Sequence, residues 1–164
     1  MINTYITEAD HHKRMLNRAQ DYADANSTCC KVKVGSLILV PDLAVFLYGC
    51  NHGVHKCTTN GCRRIMLYGN ASKEHRLPSD CDAVHSEIDA ISKAAKDGYK
   101  LNGATIYVSR YPCENCARAI AGSGIKTVIY GRKESISDYT KQILDDAGVN
   151  VVKIDDWERE DNNE

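Results

Sequence analysis

From residue 83 onward the sequence switches repeatedly between two periodicities, and few architectures accommodate that alternation. Val84, Ile88, Ile91, Ala94 and Ala95 recur at helical spacing, and Gly98 suits a helix C-terminus. Residues 104–109 alternate as a strand does, residues 113–122 read as a short helix, and residues 126–130 as another strand. A further helical stretch over 138–147 is closed by Gly148, and 150–154 forms a last strand. Strands separated by helices need crossover connections, which place them in one sheet with helices packed on its faces. Upstream, Thr7-Glu8-Ala9-Asp10 has the pattern of a capping box. The helix it opens repeats His12, Met15, Leu16, Ala19, Tyr22 and Ala23 on one face as far as about Asn26. Residues 32–40 and 43–48 are apolar and β-branched, and Pro41-Asp42 between them predicts a hairpin with a tight turn. The expected class is α/β, with a mixed sheet covered on both faces.

A chain of 164 residues is long enough for one domain with a proper core. Neither a repeat nor a linker divides it, so 1–164 is read as a single domain whose acidic tail, 155–164, frays unless Trp157 docks it. The longest apolar stretch is interrupted at Pro41-Asp42 and is too short to span a bilayer. The first residues lack the layout of a signal peptide, which gives a cytoplasmic expectation. A formal charge of −1 and a pI near 6.6 favour a small substrate over a stable nucleic acid complex. Eight cysteines in a reducing compartment point to metal binding more than to disulfides, although Cys30 and Cys50 equally suit small buried apolar positions. Residues 49–82, rich in Asn, Gly, Cys and His, show no sustained periodicity, and metal ligation would account for so long an irregular segment.

Two short motifs carry the chemistry. His85-Ser86-Glu87 stands at the start of one helix, and Pro112-Cys113-Glu114-Asn115-Cys116 at the start of another. Cysteines three apart at a helix N-terminus can aim both sulfurs at one point, where the helix N–H groups favour thiolates. With His85 they make three zinc ligands and leave the fourth tetrahedral position to water, whose pKa zinc lowers toward neutrality. Glu87, two residues beyond the histidine, can lie beside the metal without binding it. The competing reading is a closed structural zinc site with Glu87 as a solvated helix residue.

Together the two motifs compose the zinc-deaminase signature H-x-E…P-C-x-x-C. The chain resembles the cytidine/deoxycytidylate deaminase superfamily, and within it the deoxycytidylate (dCMP) deaminases, phage-encoded ones included. Ser27-Thr28-Cys29, Lys33-Val34-Gly35, Ala117-Arg118-Ala119-Ile120, Ser123-Gly124-Ile125-Lys126 and Asp146-Ala147-Gly148-Val149 support the likeness. It implies a three-layer α/β/α cytidine-deaminase-like fold with a mixed five-stranded sheet. It also implies hydrolytic conversion of dCMP to dUMP with loss of ammonia. Glu87 would take a proton from the attacking water, which adds to C4 of cytosine, and pass protons to N3 and the departing amine. Asn51 matches the family asparagine near the sugar. Relatives often carry a second, structural zinc, for which Cys29, Cys57, Cys62 and Cys81 are the natural ligands here, with His55 and His75 as substitutes. Resemblance further implies a homo-oligomer, such as a hexamer.

The chain departs from the family pattern in places. Gly49-Cys50-Asn51-His52-Gly53 replaces the usual Gly-Tyr-Asn-Gly, and Ser86 the more usual alanine. In regulated relatives that loop helps form the site where dCTP, with Mg2+, activates and dTTP inhibits; the altered loop leaves such regulation open. No glycine-rich phosphate loop occurs, so Arg110 and Arg132 are the candidates for the 5′-phosphate by position, and Tyr130 for stacking near the base. Alternatives are a deaminase of another free base, nucleoside or nucleotide (cytidine, dCTP, guanine), or a non-catalytic zinc-binding interaction module.

Overall fold

The computed structural model describes residues 7–53, 62–69, 81–132 and 137–157. Helix α1 covers Glu8–Asn26 and opens on the expected capping box: Asp10 N donates to the Thr7 hydroxyl at 3.1 Å, and Thr7 N to the Asp10 carboxylate at 3.2 Å. Strand β1, Gly35–Val40, is shorter than the apolar run predicts, because a side chain takes over the backbone groups ahead of it. The Asn51 carboxamide accepts from Val34 N at 2.8 Å and donates to Val32 O at 2.7 Å. Strand β2 is Val45–Cys50, and the hairpin turn is wider than a tight two-residue one. Pro41–Leu43 winds into a single 3-10 turn and Ala44 closes it with φ 48°, so that Val40 pairs with Val45.

The segment expected to be irregular contains regular structure. Strand β3, His52–Gly53, and helix α2, Arg63–Tyr68, both fall within it. Strand β4, Ala83–Val84, pairs antiparallel with β3, so helix α3 begins only at Ser86 and runs to Asp97, with Gly98 at φ 77° ending it. Two residues per strand leave no alternation to read, and α2 buries none of its residues, which removes the amphipathic signal. The remaining elements alternate as expected: β5 (Thr105–Arg110), α4 (Glu114–Ser123), β6 (Thr127–Arg132), α5 (Asp138–Asp146) and β7 (Asn150–Lys153).

The main sheet has five strands in the order β2-β1-β5-β6-β7. β1 runs antiparallel to both β2 and β5, while β5, β6 and β7 are parallel, so the sheet is mixed. One face carries Leu37, Tyr107 and Ile129 against Met15, Leu16 and Ala19 of α1. The other carries Ile38, Ile106, Val108 and Val128 against Ala90, Ala94, Ala117, Ile120 and Leu144 from α3, α4 and α5. These are the three layers. Each fully buried Leu or Ile contributes roughly 1.5–3 kcal/mol of transfer free energy. Gly35 lets α1 lie directly on β1, since a Cβ there would meet the Ala19 carbonyl oxygen at 1.9 Å. The tail docks as far as Trp157, which is buried, rests on Gly131, and donates from Nε1 to Asn17 Oδ1 at 2.8 Å. Among the described residues no helix is long and apolar enough to cross a membrane.

Candidate metal centre and active site

Both motifs lie at helix entrances. His85 is the N-cap of α3, placed by the β3–β4 ladder, and Cys113 is the N-cap of α4, with Cys116 in the first turn. The His85 Nδ1 lies 3.4 Å from each sulfur, and the ligand atoms of the three residues all fall within 4.8 Å of one another. Zinc bonds of about 2.0–2.1 Å to nitrogen and 2.3 Å to sulfur, at tetrahedral angles, would separate N and S by about 3.5 Å. The arrangement therefore fits zinc with little adjustment.

The two cysteines differ in charge state. A hydrogen bond from Cys116, opposed by burial and reinforced by His85, draws the Cys113 thiol down to about 3. The same contact with Cys113, then burial, pushes Cys116 strongly up. A single proton is thus shared between two sulfurs, the proton a divalent cation displaces. The hydrogen bond to Cys113 also raises the His85 imidazole, against the effect of its burial.

Glu87 is 4% exposed, so it is not a solvated helix residue. Burial raises its carboxyl above the ordinary value, and nearby His85 acts in the opposite direction. A hydrogen bond to Glu87 contributes to holding the proton on Cys116. The Ser86 hydroxyl lies 3.0 Å from Glu87 Oε2.

The other expected site residues are dispersed around this group. Asn51 is held by the 27–34 segment: its Oδ1 also has the Ser27 hydroxyl at 2.8 Å, and one Nδ2 hydrogen has no acceptor among the described residues. Arg110 and Arg132 stand opposite each other in register at the ends of β5 and β6, and the Arg132 guanidinium lies 5.6 Å from the Trp157 ring. Tyr130 is buried and packs edge-on against Tyr111, with ring centroids 4.8 Å apart. Among the described residues His85, Cys113 and Cys116 are the one group of three potential ligands that converges; Cys29, Cys62 and Cys81 are not brought into another. Cys57, His55 and His75 lie outside the described residues. Cys50 is buried and Cys30 partly so.

Two features escaped the sequence reading. Asp89, buried on α3, accepts from Cys50 N at 3.0 Å and from Lys93 Nζ at 2.7 Å, and lies 3.4 Å from His52 Nε2. It thereby holds the backbone before Asn51 and the side chain of the residue after it. The Asp89–Lys93 spacing of four was visible; its connection to the loop was not. On α2, Arg63 pairs with Asp82 at 3.6 Å, and the neighbouring Arg64 has its Nε buried with no hydrogen-bond partner among the described residues. The Arg64 charge is near enough to oppose protonation of His85.

Residues 9–132 match the family described as the cytidine and deoxycytidylate deaminase zinc-binding region. The chain belongs to that family, and the converging His85, Cys113 and Cys116 are the residues suited to its zinc. It is 33% identical over 133 residues to ComE operon protein 2 of Bacillus subtilis, covering 79% of this chain and 64% of that one. It is 39% identical over 93 residues to the deoxycytidylate deaminase of Enterobacteria phage T4, covering 51% of this chain and 46% of that one. The chain thus spans about half to two-thirds of the length of these curated relatives. The fold is shared with the dCMP deaminase of cyanophage S-TIM5, at a TM-score of 0.66 and 22% identity, over 90% of this chain and 99% of that one.

Proposed function

We propose that this chain is a single-domain, zinc-dependent deaminase that converts dCMP to dUMP and releases ammonia. One observation carries the reading: three metal-ligating side chains converge beside a buried glutamate that is not one of them. Zinc held by His85, Cys113 and Cys116 supplies Lewis acidity, which makes water a nucleophile near neutral pH. Glu87 does the proton work. Its buried carboxylate takes up a proton more readily than an exposed one, as suits a group that accepts a proton from water and returns it. Water adds to C4 of the cytosine, Glu87 delivers protons to N3 and to the amine, and ammonia leaves a uracil ring. Asn51 offers its remaining Nδ2 hydrogen to a sugar hydroxyl, and Tyr130 borders the base. Arg110 and Arg132 are candidates for the 5′-phosphate, joined by Arg64 with its unsatisfied donor. The relatives that bear the name deoxycytidylate deaminase support the choice of substrate.

The same reading includes a second, structural zinc held by Cys29, Cys57, Cys62 and Cys81, a homo-oligomer, a cytoplasmic location and a dCTP–Mg2+ effector. The test is ammonia release from dCMP, dCTP, deoxycytidine, cytidine, cytosine and guanine, with and without dCTP and dTTP plus magnesium. Turnover of dCMP that is abolished in Glu87→Ala, with zinc retained, is expected. Turnover of another substrate but not dCMP overturns the assignment, and full activity in Glu87→Ala overturns the mechanism.

A further inference from the structure

Ser36 is a polar residue inside an otherwise apolar strand, and it is fully buried. Its register partner on β2 is Gly49, whose missing side chain lets the first turn of α3 settle onto the sheet. That approach brings the Ser86 hydroxyl to 2.7 Å from the Ser36 hydroxyl. Ser86, also fully buried, reaches Glu87 Oε2 at 3.0 Å. Two hydroxyls therefore link the middle of the sheet to the carboxylate beside the metal ligands.

We propose that Ser36 and Ser86 form a positioning relay for Glu87, fixing Oε2 so that the other carboxylate oxygen serves the reacting water and base. The inference rests on reading Glu87 as the proton-transfer group of a deaminase. Each hydroxyl has one hydrogen, so the chain has a direction when the carboxylate is ionised: Ser36 donates to Ser86, and Ser86 to Oε2. The final torsion of a glutamate is broad and roughly two-fold, so an untethered carboxylate swings between orientations. The carboxylate also meets its own backbone N–H and Cys116, and the Ser86 donor at Oε2 adds a further fixed point that narrows that freedom. Ser36 in turn holds the Ser86 hydroxyl in the rotamer that points at Glu87. Neither serine touches substrate; both act through Glu87. Proton transfer is sensitive to sub-ångström placement, so this shell of contacts bears on rate more than on binding.

The test uses zinc-loaded protein carrying Ser86→Ala, Ser36→Ala or both. Expected is a fall in kcat of about two- to tenfold for Ser86→Ala, the scale of one displaced side-chain torsion, with KM for dCMP within about twofold and zinc content unchanged. Ser36→Ala falls less, and the double variant no further than Ser86→Ala. A second arm needs no turnover: Ser86→Ala lowers the urea midpoint less in Glu87→Ala than in the wild-type background, because one of its two partners, Glu87, has gone while Ser36 remains. Wild-type kcat in Ser86→Ala, or additive urea shifts, overturns the relay. Absence of ammonia release by the unsubstituted protein from every substrate overturns the deaminase reading instead, and the urea arm reads the Ser86–Glu87 bond either way.

Discussion

Gly49 approaches Ser86 so closely that a Cβ on the glycine would lie 2.1 Å from the Ser86 carbonyl oxygen. Ser86 sits between His85 and Glu87, so this contact between strand and helix sets the height of the metal ligand and the carboxylate over the sheet. Gly49→Ala also meets Ala90 N at 2.7 Å, and backbone cannot rotate away as a side chain does. The expected cost is about 1–3 kcal/mol, read from urea denaturation, with a loss of ammonia release at temperatures where the protein remains folded. Unchanged stability and activity would show that the helix can lift without consequence.

Burial of Glu87 has a measurable price in the metal-free protein. Its carboxyl is raised above the ordinary 4.5, so the folded chain holds this proton more tightly than the unfolded chain does. Its favourable contribution is present below that ordinary value and disappears as the pH rises through the folded-state value. Glu87→Gln removes the ionisation, and the metal-free variant is expected to melt higher than the parent at pH 7. The gap narrows as the pH falls toward 4.5. A constant gap across that range would assign the difference to packing.

Cys113 is exposed, and its hydrogen bonds hold its thiol down to about 3. In metal-free protein its alkylation by iodoacetamide is expected to be flat between about pH 5 and 8, whereas ordinary thiols react about tenfold faster for each pH unit over that range. Cys116, buried and protonated, should label little. Zinc should suppress labelling at Cys113. Peptide mapping by mass spectrometry gives both rates at once.

Arg64 offers a buried donor that no group among the described residues accepts. If it meets the 5′-phosphate, Arg64→Gln raises KM for dCMP by about ten- to a hundred-fold, the range of a hydrogen bond to a charged group. KM for deoxycytidine, which lacks the phosphate, should stay put. An equal change for both substrates would leave Arg64 as a support for α2.

The alternation of helix and strand was legible because it depends on which residues are apolar and at what interval. The convergence of His85, Cys113 and Cys116 was legible because helix entrances and short spacings are local. The polar networks were not. Asn51 binds residues 17 and 19 positions away, and Ser36 reaches a serine 50 positions away; such pairs exist only once the sheet has formed. In the sequence Ser36 reads as part of an apolar run and Ser86 as a replacement for alanine, and neither alone discloses the other. The shortened β1 has the same origin, since Val34 N and Val32 O turn to the Asn51 carboxamide, leaving only the Val34 carbonyl to pair with the Asn51 backbone N–H beyond β2.

Helices α3 and α4 begin on His85 and Cys113, and neither side chain caps the helix it starts. Aspartate or serine at either position would cap the free N–H groups and steady the isolated helix by about 1 kcal/mol. Serine would also remove a candidate metal ligand, and aspartate would exchange it for a carboxylate. Both helix starts therefore keep N–H groups that their first side chain does not cap, and an ion held by His85 and Cys113 would join the two starts through those side chains. Removing a zinc ion held there would accordingly loosen the first turns of α3 and α4 together, though they are separated in sequence by β5, and such an ion would be a mechanical joint between two elements that share no covalent neighbour.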